Sequence, residues 1–343
     1  MTTTLQPPSE LLQRHHTLFN GTQLLIGGQL LDDYPLELAQ LAQSSTICTT
    51  HAGQAAHYQS RDIDNCQVTL SAVPELTQRY NCLILYIPKA KQEADYWLNL
   101  FLPKLHANAQ IFIVGENRGG INAACKLLNQ YQIDGRKIDA ARRCSLIYGE
   151  RGEQPIEFDA ANWYQQFNVH LPQGDLCVCS MPGVFNHGKL DAGTQLLLET
   201  LPALQGRGLD FGCGAGIIGA AIALQTGAQI NAIDVSAQAA LSTKRTFAAN
   251  QLQGHVDCFD GIRSINGPFD FIVSNPPFHL GVQTQYDTSR EFIRQASSKL
   301  TANGQLWLVA NSFLPYKELL EAQFSHCQVV TDNRKFRVYC CHN

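Results

Sequence analysis

Four segments in the first half of the chain return, in the same order, about 190 residues later. "LLIGGQ" (Leu24 to Gln29) is echoed by "LDFGCG" (Leu209 to Gly214), and "CLILYIPK" (Cys82 to Lys89) by "DFIVSNPP" (Asp270 to Pro277). "LPKLHANAQIFIVGEN" (Leu102 to Asn117) matches "SSKLTANGQLWLVANS" (Ser297 to Ser312), and "RRCSLIY" matches "RKFRVYC". Constant order at a near-constant offset of one domain length marks an internal duplication. Both halves must then accept one fold, and 343 residues suffice for two domains of ordinary size. The polar stretch Arg151 to Asp159 reads as the linker, giving domains 1–155 and 156–343.

The second half shows which fold this is. Apolar strand-like runs (Gly206 to Phe211, Gln229 to Asp234, Val256 to Gly261, Phe269 to Val273, Gly304 to Asn311) alternate with helical patterns (Ile217 to Gly227, Ala237 to Gln251, Ser289 to Leu300). Such alternation predicts an α/β domain with a doubly wound parallel sheet, here in two tandem Rossmann-like copies.

Two loops of the second copy carry chemistry. "LDFGCGAG" ends a strand on Asp210 and turns through Gly212, Gly214 and Gly216 into a helix, whose N-terminal N–H groups face the loop. Gly214, Gly216 and Gly219 also satisfy a dinucleotide pattern, which leaves a nicotinamide oxidoreductase open. An acidic Asp210 favours a cationic amino-acid ligand, as in S-adenosylmethionine, over a pyrophosphate. Asp234 and Val235 end the next strand, where a carboxylate can accept from ribose hydroxyls, and Asp260 and Gly261 follow the third, placed for an adenine. The other loop is "NPPF", Asn275, Pro276, Pro277 and Phe278, immediately after the fourth strand. The Asn275 oxygen and the Pro276 carbonyl can each accept an N–H from a conjugated amine, and Phe278 offers a face for a base.

Formal net charge is -4, which argues against coating nucleic acid through bulk charge. Local clusters remain as RNA contacts: Arg136, Lys137, Arg142 and Arg143, and Arg334, Lys335 and Arg337. The twelve cysteines have no zinc-ribbon spacing and the first residues no signal-like apolar run. Reduced thiols, no metal, no membrane and a cytoplasmic location are therefore expected.

The two loops together resemble the class I S-adenosylmethionine-dependent methyltransferases. "MPGVFNHGKLDAGTQLLLE" (Met181 to Glu199), "SNPPFHLGVQT", "VANSFLPY", "VGENRGGINAA" and "DAARRC" make the chain similar, over most of its length, to the ribosomal RNA small subunit methyltransferase C family. That resemblance implies a degenerate N-terminal domain and a catalytic C-terminal one. It implies S-adenosylmethionine as cofactor, methylation of guanine N2 at position 1207 of 16S ribosomal RNA on the small subunit or an assembly intermediate, and cofactor contacts from Phe185, Leu190 and Asp191. Fused homologous domains suit a monomer. In the first copy Gly27, Gly28 and Gln29 stand for Gly212, Cys213 and Gly214, and Ile87, Pro88 and Lys89 for Asn275, Pro276 and Pro277. Alternatives are N-methylation of another ribosomal RNA guanine, of DNA adenine or of protein glutamine, and a non-catalytic RNA-binding assembly factor.

Overall fold

The computed structural model describes residues 4–172, 174–263, 265–276 and 283–343, with side chains left aside for 283–289. The chain divides into two units, Met1–Trp163 and Tyr164–Asn343. Arg151–Asp159 packs with the first unit: Arg151 Nε donates to the Leu102 carbonyl at 3.2 Å, and the Phe158 ring lies 5.8 Å from that of Tyr96.

The first unit contains β1 (Gln23–Gly28), β2 (Ser44–Thr49), β3 (Cys66–Leu70), β4 (Tyr80–Tyr86), β5 (Leu105–Glu116), β6 (Arg136–Ala141) and β7 (Cys144–Glu150). They form one sheet in the order β3-β2-β1-β4-β5-β7-β6, in which only β7 and its edge neighbour β6 pair antiparallel. The second unit opens with a hairpin, β8 (Gln165–Leu171) and β9 (Gly174–Ser180). Its main sheet comprises β10 (Arg207–Phe211), β11 (Gln229–Asp234), β12 (Gly254–Cys258), β13 (Phe269–Ser274), β14 (Leu300–Asn311), β15 (His326–Asp332) and β16 (Phe336–His342). Their order, β12-β11-β10-β13-β14-β16-β15, repeats the first sheet strand for strand. Central strands are covered on both faces and so read as continuous apolar runs, such as Leu83–Leu85 and Phe271–Val273.

The ladders sharpen the duplication. Cys82 faces Gln110 and Phe271 faces Gln305, each just after an irregularity in the strand pair. Since "NAQIF" and "NGQLW" align Gln110 with Gln305, Cys82 corresponds to Phe271 and Tyr86 to Asn275. Likewise Leu24 faces Cys82 and Gly208 faces Phe271, so Gly28 corresponds to Gly212. The sequence echoes were therefore one residue out of register in both strands. Apolar runs slide past each other without penalty in a string comparison, whereas a ladder does not slip. Gly28 and Gly212 share a positive φ, 95° and 69°.

The hairpin and β15 were not expected from the sequence. Edge strand β9 is held by a polar stripe on the helix Ala237–Ala249 and the residue after it. Ser242 Oγ accepts from Met181 N at 3.1 Å, Thr246 Oγ1 from Cys179 N at 3.0 Å and Asn250 Oδ1 from Cys177 N at 2.9 Å. Four helical residues rise about 6 Å and two strand residues about 6.6 Å, so an i, i+4, i+8 stripe matches alternate N–H groups of a strand. This replaces the missing ladder partner and launches the segment from Met181 toward the sheet edge. Cys327 and Cys341 face each other across β15 and β16 with their sulfurs joined, contrary to the expectation of thiols throughout; ten cysteines are free. Among the described residues no helix is long and apolar enough to cross a membrane.

A Cβ at Gly28 would overlap the Tyr86 carbonyl oxygen, whereas one at Gly212 meets nothing within 4 Å. Gly212→Ala should cost about 1–2 kcal/mol for its backbone conformation alone. Gly28→Ala should cost roughly 3 kcal/mol or more, since the clash adds to the same strain. Urea unfolding of the two variants checks the order.

Candidate active site

β10 and β13 are neighbours, and Phe211 and Ser274 are the last paired residues of the two strands. Both loops therefore leave one edge side by side, at the point where the strand order reverses. This brings the glycine turn and Asn275 together. Ser274 Oγ donates to the Phe211 carbonyl at 2.9 Å and ties the strand ends.

The glycine turn is open where a ligand would need it. Gly212 and Gly214 have nothing within 4 Å of a Cβ position. Thr243, which sequence reasoning missed, braces the loop: its Oγ1 donates to the Gly214 carbonyl at 3.0 Å. Asp210 is fully buried, and its Oδ2 accepts from Gly219 N at 2.9 Å. Its Oδ1 is buried without a hydrogen-bond partner. Burial, opposed by the Gly219 N–H and reinforced by the Asp234 charge, pushes its pKa up to about 7. A buried carboxylate oxygen with no donor, beside an open glycine turn, suits a cationic ligand group. Asp234 accepts from Gly214 N through Oδ2 and from Ser236 N through Oδ1, both at 2.9 Å, which aims the carboxylate. Val235 and Gly261 adjoin this edge; the Val235 carbonyl accepts from Cys258 Sγ, and Asp260 is exposed beyond Phe259, whose N–H reaches the Asp234 carbonyl at 3.0 Å.

Asn275 is half-buried and Pro276 is buried. Pro277 and Phe278 lie outside the described residues. The Asn275 amide is clamped from one side: Nδ2 donates to Asp191 Oδ2 at 3.0 Å and to Thr194 Oγ1 at 2.9 Å. A carboxylate can only accept, so the NH2 must face it and the amide oxygen turns away. Asp191 itself caps the helix Ala192–Thr200, accepting from Gly193 N and Thr194 N, and takes Asn186 Nδ2 on its other oxygen at 3.0 Å. Its carboxylate is thus engaged by this chain's own donors. Phe185 is 62% exposed and Leu190 half-buried in the segment that leads to Asp191. The signal for Thr194 was present in the "D-x-x-T" start of an amphipathic helix, which reads as an N-cap; its second partner is visible only in three dimensions.

The first unit closes the same place. Tyr86 occupies the position of Asn275, and Ser9, on the helix Pro7–Gln13 before β1, touches it as Thr194 touches Asn275. Ser9 Oγ donates to Asp32 Oδ1 at 2.8 Å, so the Tyr86 hydroxyl donates to Ser9 at 3.0 Å. Gln6 N and Tyr34 N complete the Asp32 carboxylate. All three side chains are buried and satisfied by partners within this chain.

The basic clusters fare unevenly. Arg142 pairs with Glu10 at 2.6 Å, Arg337 with Asp332 at 2.7 Å, and Arg136 lies over the Tyr148 ring. Lys137, Arg143, Arg334 and Lys335 are exposed.

Comparison with known proteins agrees with this architecture. Residues 175–340 match the family described as "Methyltransferase small domain", and residues 9–167 match "Methyltransferase small domain N-terminal". Ribosomal RNA small subunit methyltransferase C of Aeromonas hydrophila is 42% identical over 99% of both chains, and that of Aliivibrio fischeri (strain ATCC 700601 / ES114) is 40% identical over 97% of both. The T. thermophilus 16S rRNA N2 G1207 methyltransferase, solved with AdoMet and guanosine, superposes with a TM-score of 0.82 at 22% identity, covering 98% of this chain and 92% of that one. With whole-length identity at this level and the same pair of domains, the chain belongs to the ribosomal RNA small subunit methyltransferase C family.

Proposed function

We propose that this protein transfers a methyl group from S-adenosylmethionine to the exocyclic N2 of a guanine in 16S ribosomal RNA, at position 1207 as in the T. thermophilus relative. The observation that carries it is the Asn275 amide, held by its NH2 so that its oxygen is turned outward as an acceptor. The residues present fit the cofactor. Asp210 takes the ammonium of its amino-acid end, Asp234 the ribose hydroxyls, and Val235, Asp260 and Gly261 flank the adenine. Phe185 and Leu190 close the site. The donor, when bound, supplies an electrophilic methyl on a sulfonium.

The amine of guanine is a poor nucleophile because its lone pair is delocalised into the ring. Asn275 Oδ1 and the Pro276 carbonyl each accept one of its N–H groups. This turns the nitrogen toward the methyl and stabilises the positive charge that grows on it. The alkylated nitrogen then releases a proton to water without needing a strong base. Phe278 is assigned, from sequence alone, to stack on a base that is unpaired or flipped out. Asp191 and Thr194 act as positioning residues for Asn275. A small-subunit partner, a monomeric state and a cytoplasmic site of action complete the reading. The site itself is incubated most directly with labelled donor and purified ribosomal subunits; label on protein or on large-subunit RNA would refute the substrate.

Asn275→Ala should lower kcat by about a thousandfold, the usual cost of removing a placed transition-state acceptor, with donor affinity within a few fold in calorimetry. Thr194→Val should lower kcat roughly tenfold at nearly unchanged KM, the scale of one hydrogen bond, while Thr194→Ser retains activity.

Asp210 gives a prediction in pH. In the unfolded chain it ionises near the ordinary aspartate value of 3.8 and in the fold only at about 7. Between those values the folded state holds the extra proton, so Asp210 makes stability fall as pH rises, and the loss is complete above about 7. Asp210→Asn should therefore melt several degrees above the unliganded wild type at pH 8, with the gap closing toward pH 4, and should bind the donor weakly. Thermal unfolding across pH, paired with calorimetry, measures both.

A further inference from the structure

The exposed side chains beside Asn275 include one that neither the cofactor nor the target amine uses. In "NSFLPY", Leu314 packs against the core and Tyr316 is buried, but Phe313 is 62% exposed. β14 runs parallel to β13, so Phe313, just past its end at Asn311, stands at the same edge of the sheet as Asn275. The β15–β16 turn lies at that edge too, because Asn311 faces Phe336 across the antiparallel pair. Two hydrogen bonds lock the Phe313 loop to that turn: Ser312 N donates to the Lys335 carbonyl at 2.9 Å and Ser312 Oγ to the Arg334 carbonyl at 2.5 Å. The Phe336 ring lies 3.3 Å from a Cβ position at Gly193, next to the Asp191 cap that holds Asn275. Lys335 Nζ sits 5.2 Å above the centre of that ring.

We infer that Phe313, Arg334 and Lys335 form a platform for an unpaired nucleotide adjoining the target guanine, with the base stacked on Phe313 and phosphates met by the two cations. Charge decides the occupant. On a chain of net charge -4, an outward phenyl ring backed by two exposed cations suits a polyanion with aromatic faces. Arg337, spent on Asp332, belongs to the frame of the turn and not to the platform. The inference rests on the RNA-substrate reading above and adds a surface to it.

The test uses the whole protein and a labelled single-stranded oligoribonucleotide of about ten nucleotides, followed by fluorescence anisotropy across a salt series. Phe313→Ala should weaken binding roughly tenfold, the scale of one base–aromatic stack, and Phe313→Tyr should restore it. The double variant Arg334→Ala, Lys335→Ala should lower the salt slope by about 1.4, for two phosphates on a single strand. Affinity and slope unchanged in both variants, or no binding by the wild type, overturns the platform. A parallel methylation assay on small-subunit RNA separates the two readings. No transfer by a wild type that shows platform-dependent binding counts against the proposed reaction and supports the platform. Normal transfer with variant-independent binding does the reverse.

Discussion

The hydrogen bonds from the Asn275 amide to Asp191 and Thr194 connect three parts of the second unit: the end of a central strand, the start of a helix, and the segment that the β9 hairpin delivers. An amide has one donor side and one acceptor side. Surrounding the donor side with a carboxylate and a hydroxyl decides where the acceptor points, with no further side-chain freedom to lose at reaction. Asp191 is anchored in turn by the helix N–H groups it caps, so the orientation of one oxygen is referred back to a rigid element.

The duplication supplies an internal comparison. Both units place a hydroxyl-bearing residue, Ser9 or Thr194, against the equivalent residue at the end of the fourth strand of the pattern. In one unit that residue is Tyr86, and a buried Asp32 completes a closed network. In the other it is Asn275, and the neighbouring Asp210 keeps an oxygen without a donor. The first arrangement satisfies its polar groups internally and the second keeps one buried oxygen without a donor, on which the proposed cofactor contact rests. Held against burial, an ionised Asp210 is a local cost to the fold, the kind of strain found where function requires it.

Much of this was legible in the chain. Alternating apolar strands and helices, the ordered echo, the aspartates at strand ends and the "NPPF" loop are local patterns. Each rests on the period of an element or the chemistry of a few adjacent residues. The register of the echo was not legible, because "LLIGG" and "CLILY" are apolar over their length and can be slid by one. Nor was the hold of Asp191 on Asn275, beyond the cofactor contact that the resemblance implied for it. Arg142 and Arg337 looked like free cations until Glu10, 132 residues away, and Asp332, across a turn, were seen beside them.

The sequence by itself determined the two α/β units, their duplication and the candidate residues for the chemistry, because these follow from short-range periodicity and motif spacing. Only the tertiary structure decided which way those residues face. Asn275 lies 84 residues from Asp191 and 81 from Thr194, and Phe313 meets the Arg334–Lys335 turn across a pair of antiparallel strands. A hydrogen bond is directional and short, so its partners are chosen by how the sheet folds back on itself and leave no trace in the spacing of the chain.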